Sequence, residues 1–175
     1  MPHTTRIPLT VFLSLVGLCL VCAQGNAQQH GRSGYQCVFS GMAQKASAKA
    51  IFRPSENGRR LRYTLKVKNI KNITMAHLHL GTVGEFGSPV IWLYPPSPPP
   101  KLKPGTFSGV LAEGTIKAED LIGPLRNEPL AELIKHMEKG HTYANIHTEE
   151  HPRGEICGPV RLIQSEKQGQ APGHE

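Results

Sequence analysis

Beyond Val21 the 175-residue chain has no apolar run near the ~20 residues that a membrane-spanning helix needs. The part that follows is expected to be a soluble domain without a membrane span. The glycine-based catalytic signatures are missing too: no G-x-S-x-G, no G-x-G-x-x-G and no P-loop occurs. No heptad or G-X-Y period supports a coiled coil or a collagen helix. Cysteine is scarce. Cys19 and Cys22 fall within the first 27 residues, which leaves Cys37 and Cys157. No catalytic residue is assigned on these grounds, and whether the protein is an enzyme stays open.

What is present begins with an apolar stretch, Ile7 to Val21, preceded by Arg6 and followed by Cys22-Ala23-Gln24-Gly25-Asn26-Ala27. Charge, apolar run and small residues in that order mark a secretory signal peptide over residues 1–27, cleaved after Ala23 or Ala27. Removing it leaves 148 of the 175 residues, enough for one well-buried domain. Arg6 is the only charged side chain removed, so the formal charge falls from +7 to +6. The expected location is extracellular, or periplasmic in a bacterium. In such a compartment an even pair of cysteines favours a Cys37–Cys157 disulfide, with two buried free thiols as the alternative. Closing a loop of about 120 residues would contribute roughly 4–5 kcal/mol. Asn72-Ile73-Thr74 is a sequon that makes Asn72 a glycosylation candidate in a eukaryote.

Residues 28–34 are a polar leader, 35–163 the domain, and 164–175 a polar tail. Within the domain, short alternating segments dominate. Tyr35 to Ser40 is a strand candidate. Ala46, Ala48, Ala50 and Phe52 alternate with Ser47, Lys49, Ile51 and Arg53 before a break at Asn57-Gly58. Leu61, Tyr63, Leu65 and Val67 then share one face, with Arg60, Arg62, Lys66 and Lys68 on the other. Further strands are expected at Ile73–Leu80, Pro89–Tyr94, Thr106–Ile116, Thr142–Thr148 and Glu155–Ile163. The proline run from Pro95 to Pro100 must be a surface excursion. One helix is expected over residues 128–139, capped by Asn127, with Pro129 in its first turn and Gly140 at its end. Many short strands and one helix predict an all-β fold: an antiparallel, Greek-key-like sandwich or barrel.

Nine histidines are unevenly placed. Ala76-His77-Leu78-His79 puts two imidazoles on one strand face, ~6.5–7 Å apart along the chain. His147 lies on a later strand, and His151 follows in a turn with Pro152, Arg153 and Gly154. Neutral imidazoles suit copper first and zinc second. The candidate metal ligands are therefore His77, His79 and His147, with His151 as a fourth. A hydrogen-bonded structural network of histidines is the alternative. Arg60, Arg62, Lys66, Lys68 and Lys71 form a basic strip, read either as a solvated face or as a site for acidic glycans or phosphate. No nucleic-acid partner is expected.

Three segments carry a family resemblance. They are Ala76-His77-Leu78-His79-Leu80-Gly81 through Pro89-Val90-Ile91, Phe107-Ser108-Gly109-Val110 through Gly123-Pro124, and Tyr143-Ala144-Asn145-Ile146-His147-Thr148 followed by Pro152-Arg153-Gly154-Glu155-Ile156. Together they resemble the chordin (CHRD) domain family from about Tyr35 to Ile163. The architecture also looks like that of copper-zinc superoxide dismutase, which has an H-x-H strand and a late-strand histidine. That likeness implies copper ligation by His77, His79 and His147, and a dismutase-like redox role. The dismutase's zinc loop and bridging histidine have no clear counterpart. The family resemblance implies instead an extracellular binding module for growth-factor-type proteins. Cys157 stands where the family usually has arginine, and Cys37 also departs from the pattern; as a pair these departures imply an added disulfide.

Overall fold

The structure, a computed structural model, describes residues 34–40, 45–85 and 87–163. The expected signal peptide, most of the polar leader and the tail at 164–175 lie outside these residues.

Alternation of apolar and polar residues fixes the strands. They are β1 (Tyr35–Ser40), β2 (Ser47–Pro54), β3 (Leu61–Leu80), β4 (Pro89–Tyr94), β5 (Lys103–Ile116), β6 (Thr142–Thr148) and β7 (Ile156–Leu162). Between β5 and β6 lie two single-turn 3-10 helices, Ala118–Asp120 and Gly123–Leu125, and then the α-helix α1 (Leu130–Glu138). No helix among the described residues is long and apolar enough to cross a membrane.

All strand pairs are antiparallel, in the order β2-β1-β7-β6-β3-β4. Pairing of β2 with β3 closes that path into a barrel, while β4 and β5 pair along the free edge of β3. The sequence suggested two strands where the structure has one. Between the halves of β3, Asn69 and Asn72 adopt positive φ (54° and 49°). Asparagine tolerates this left-handed conformation, so the strand bends without ending. The first half pairs with β2 and β5 and the second with β4 and β6. Asn72 Oδ1 also accepts a hydrogen bond from the Gly105 amide (2.8 Å), so the sequon asparagine is built into the bend.

The barrel interior is filled by inward residues such as Phe39, Ala50, Phe52, Leu65, Leu78 and Ile146, all buried. Helix α1 contributes Leu130, Leu133 and Met137. Its start differs from expectation: Pro129 is the N-cap and Asn127 sits outside at φ 67°, with no side-chain cap. A proline fits there because the first helical amides have no intrahelical acceptor. The C-terminal end is as expected, with Gly140 at φ 70°.

The expected disulfide is not formed: Cys37 and Cys157 are both free thiols. Tyr35, Cys37 and Phe39 alternate into the core, and the Cys37 thiol donates to Gly158 O at 2.8 Å. On β7 the inward residues are Ile156, Gly158 and Val160, so Cys157 points to the opposite face. Burial pushes the Cys37 thiol up to about 12, which keeps it protonated and unreactive.

Candidate metal centre

The outer face of the second half of β3 carries Met75, His77 and His79. Antiparallel register sets His147 opposite Met75, Asn145 opposite His77 and Tyr143 opposite His79. The intervening residues, Ala76, Leu78, Ala144 and Ile146, face the core. All seven residues of β6 are nonetheless buried. The outward ones are covered by residues 81–85 and 87–88, by the 149–155 loop, and by Trp92 of β4, which pairs with His77.

The structure brings His77, His79 and His147 together. They are 5–8% exposed, and one ring nitrogen from each lies within 4.8 Å of the others. His77 Nδ1 and His147 Nε2 are 3.3 Å apart. Two ~2.05 Å metal–nitrogen bonds at a tetrahedral angle span roughly that distance. His151 is not brought in. It sits in the 149–155 loop with its side chain mostly exposed and its Nε2 3.2 Å from Glu155 Oε2. The loop folds back because the Thr148 hydroxyl receives the His151 amide (3.0 Å) while Glu155 N donates to Ile146 O (2.7 Å). That turn aims the backbone, and not His151, at the site.

The same turn orients two site residues. Asn145 Nδ2 donates to Arg153 O (3.1 Å), and His147 Nδ1 lies 3.0 Å from Pro152 O. His79 Nδ1 lies 2.8 Å from Gly87 O. A carbonyl oxygen can only accept, so both Nδ1 atoms carry the proton and both Nε2 atoms present a lone pair. This is the outer-sphere arrangement that metal-ligating histidines use. His79 Nε2 and His77 Nε2 are buried without a hydrogen-bond partner. A self-contained structural network would satisfy these atoms, because an unpaired buried polar group costs about 1–3 kcal/mol. The donor set therefore fits an ion better than a closed network.

Charge follows the same logic. Burial, and then the fields of His147 and His79, push His77 down to about 3. Burial also lowers His79 and His147, against the raising effect of their carbonyl partners. At neutral pH all three rings are neutral, the form that binds a metal.

Two aromatic residues complete the site. Tyr143 stacks on His79 with ring centroids 4.9 Å apart and 15° between planes. Its hydroxyl donates to Glu85 O (3.0 Å) and accepts from Gly87 N (3.1 Å), pinning the loop whose carbonyl orients His79. Trp92 meets the His77 ring edge-on, centroids 4.2 Å apart. Gly87 cannot be replaced cheaply, since a Cβ there would collide with Leu80 O. Sequence reasoning assigned no role to Tyr143, Trp92 or Gly87. Alternation within β6 puts Tyr143 on the face of Asn145 and His147, so that signal existed; the pairing of Trp92 with His77 depends on which strands are neighbours.

Tyr143→Phe removes two hydrogen bonds from the covering loop. It should lower stability by about 1–2 kcal/mol and metal affinity by roughly 10–100-fold. Thermal denaturation and metal titration check this; unchanged values in both would show that the hydroxyl does not position the loop.

An antiparallel barrel with three buried histidines converging on its outer wall defines the class of site. The chain matches the CHRD domain family over residues 32–160 and belongs to that family. No curated protein and no solved structure matches it.

Proposed function

We propose that this is a secreted CHRD-domain protein that binds one transition-metal ion, copper by preference and zinc second, through His77, His79 and His147. The observation that carries this reading is the convergence of three buried, neutral imidazoles, with His77 Nδ1 and His147 Nε2 3.3 Å apart and His79 Nε2 buried without a protein partner. Secretion rests on the leader at residues 1–27. A bound copper ion supplies one-electron redox chemistry, which is what a dismutase-like role would use. The chain's own part is to hold three nitrogens in place: Gly87 O and Pro152 O fix two ring tautomers, and Tyr143 and Trp92 exclude bulk water. Beside the site lies a small cavity of about 140 Å³ lined by Gly84, Tyr143, Asn145, Arg153 and Cys157.

Elemental analysis of the purified protein tests the reading. One equivalent of copper or zinc per chain is expected, falling to near zero when His77, His79 and His147 are all changed to alanine. A wild-type chain that retains no metal after incubation with copper and desalting would contradict it.

A further inference from the structure

On the barrel wall formed by β2 and the first half of β3, the outward side chains are cationic in both strands. Register sets Lys49 opposite Lys66 and Arg53 opposite Arg62, with Lys68 opposite Ser47. All five cations are exposed. Directly opposed residues of an antiparallel pair have Cβ atoms about 4.5–5.5 Å apart, and like charges there are destabilising. Ordinary solvated faces mix the signs. Among the described residues the ion pairs are Lys71–Glu150, Lys117–Glu119, Lys135–Glu132 and His151–Glu155, and none involves these five cations. The neighbouring strands add little acid: β5 places Glu113 opposite Thr64, and β1 places Val38 opposite Lys49 and Gln36 opposite Ile51.

We propose that this wall docks a linear sulfated or carboxylated polysaccharide. Two like-charged pairs side by side cost stability in the free protein and gain it when anions lie between them. From Arg62 to Lys68 the track is six residues long, or roughly 20 Å at ~3.3 Å per residue. A single small anion would satisfy one cross-strand pair and leave the other; a chain of regularly spaced anionic groups satisfies both. The side chains between the cations are Ser47, Ile51 and Thr64. No aromatic ring stands among them to stack bases, which argues against single-stranded nucleic acid. The site is on a different part of β3 from the three histidines and does not depend on a metal.

Heparin is the probe. The wild-type chain should be retained on immobilised heparin at 150 mM salt, with an affinity that falls steeply as salt rises. Arg62→Glu with Lys66→Glu should weaken binding at least tenfold and reduce the log–log salt slope by about 2, by the counterion-release arithmetic of roughly one unit per cation. Lys66→Glu alone also places an acid opposite Lys49, so its melting temperature should hold or rise while heparin affinity falls. This opposite movement separates docking from misfolding. A control with the same change of charge, Lys135→Glu in α1 with Lys139→Glu at its C-cap, should stay within threefold of wild type. Three results would overturn the proposal: no retention at 150 mM salt, an equal loss in the α1 control, or tighter binding of single-stranded DNA than of heparin.

Discussion

Replacing His79 by alanine should abolish tight metal binding while leaving the barrel folded. The His79 side chain lies on the outer wall, where it touches Tyr143, Gly87 and the other two histidines, and not in the core. Its Nε2 has no protein partner, so its removal strands no polar group there. The cost to the metal-free protein is the lost Gly87 hydrogen bond and some packing, on the order of 1–2 kcal/mol. The cost to binding is larger. Changes to outer-sphere partners typically reduce affinity by roughly 10–100-fold, and loss of one of three ligands should exceed the upper end of that range. Linked stability shows the same contrast. Metal at 100 times its dissociation constant stabilises a binding-competent fold by about 2.7 kcal/mol, and His79→Ala should show almost none of this. Thermal melts with and without copper, for wild type and variant, make the comparison. Equal copper-induced shifts in both would show that His79 is not a ligand.

Acid should destabilise the metal-free protein well before its carboxylates titrate. His77 is held down to about 3 in the fold, and His79 and His147 are also lowered, chiefly by burial. In the unfolded chain these histidines titrate near their ordinary value, about 6.5. Between those limits the unfolded state binds more protons than the folded one, so stability increases with pH. The contribution is complete above about pH 6.5 and is lost as pH falls toward the folded values, at up to about 1.4 kcal/mol per unit for each histidine. Denaturant unfolding at pH 7 and pH 5 should show a clear drop, and the variant lacking all three histidines should lose most of that drop. A flat profile between pH 7 and pH 5 would mean that the rings are protonated in the fold, which three crowded imidazoles do not permit without counter-charges. Bound metal should be released over the same interval, since protons compete for the nitrogens.

Local alternation made much of the architecture legible. The bounds of β1 and β6 match the strand candidates Tyr35–Ser40 and Thr142–Thr148, and those of β4 match the short apolar run Pro89–Tyr94 between a glycine-rich turn and the proline run. The unity of β3 was not legible, because left-handed asparagines at 69 and 72 look in sequence like a turn. The β2–β3 hairpin was signalled by Asn57-Gly58, but closure of the barrel also depends on β1 meeting β7, which no local pattern encodes. Pairing Cys37 with Cys157 followed compartment and count, yet alternation on each strand already opposed it: Cys37 keeps company with Tyr35 and Phe39, whereas Cys157 is out of phase with Ile156 and Val160. His77, His79 and His147 could be singled out by their strand positions. His151 could not be placed, because a turn has no period, and there the structure directs a carbonyl instead of the ring into the site.

Fluorescence of Trp92 tests the metal centre most directly. It is the only tryptophan in the chain, and its ring lies 4.2 Å from that of His77. Paramagnetic Cu(II) bound by the three histidines should quench its emission and saturate at one equivalent. Zn(II) should compete for the site without comparable quenching, and the variant with His77, His79 and His147 all replaced by alanine should give no saturable response. Emission that is indifferent to excess copper, or quenched alike in wild type and variant, would contradict a metal site at these three histidines.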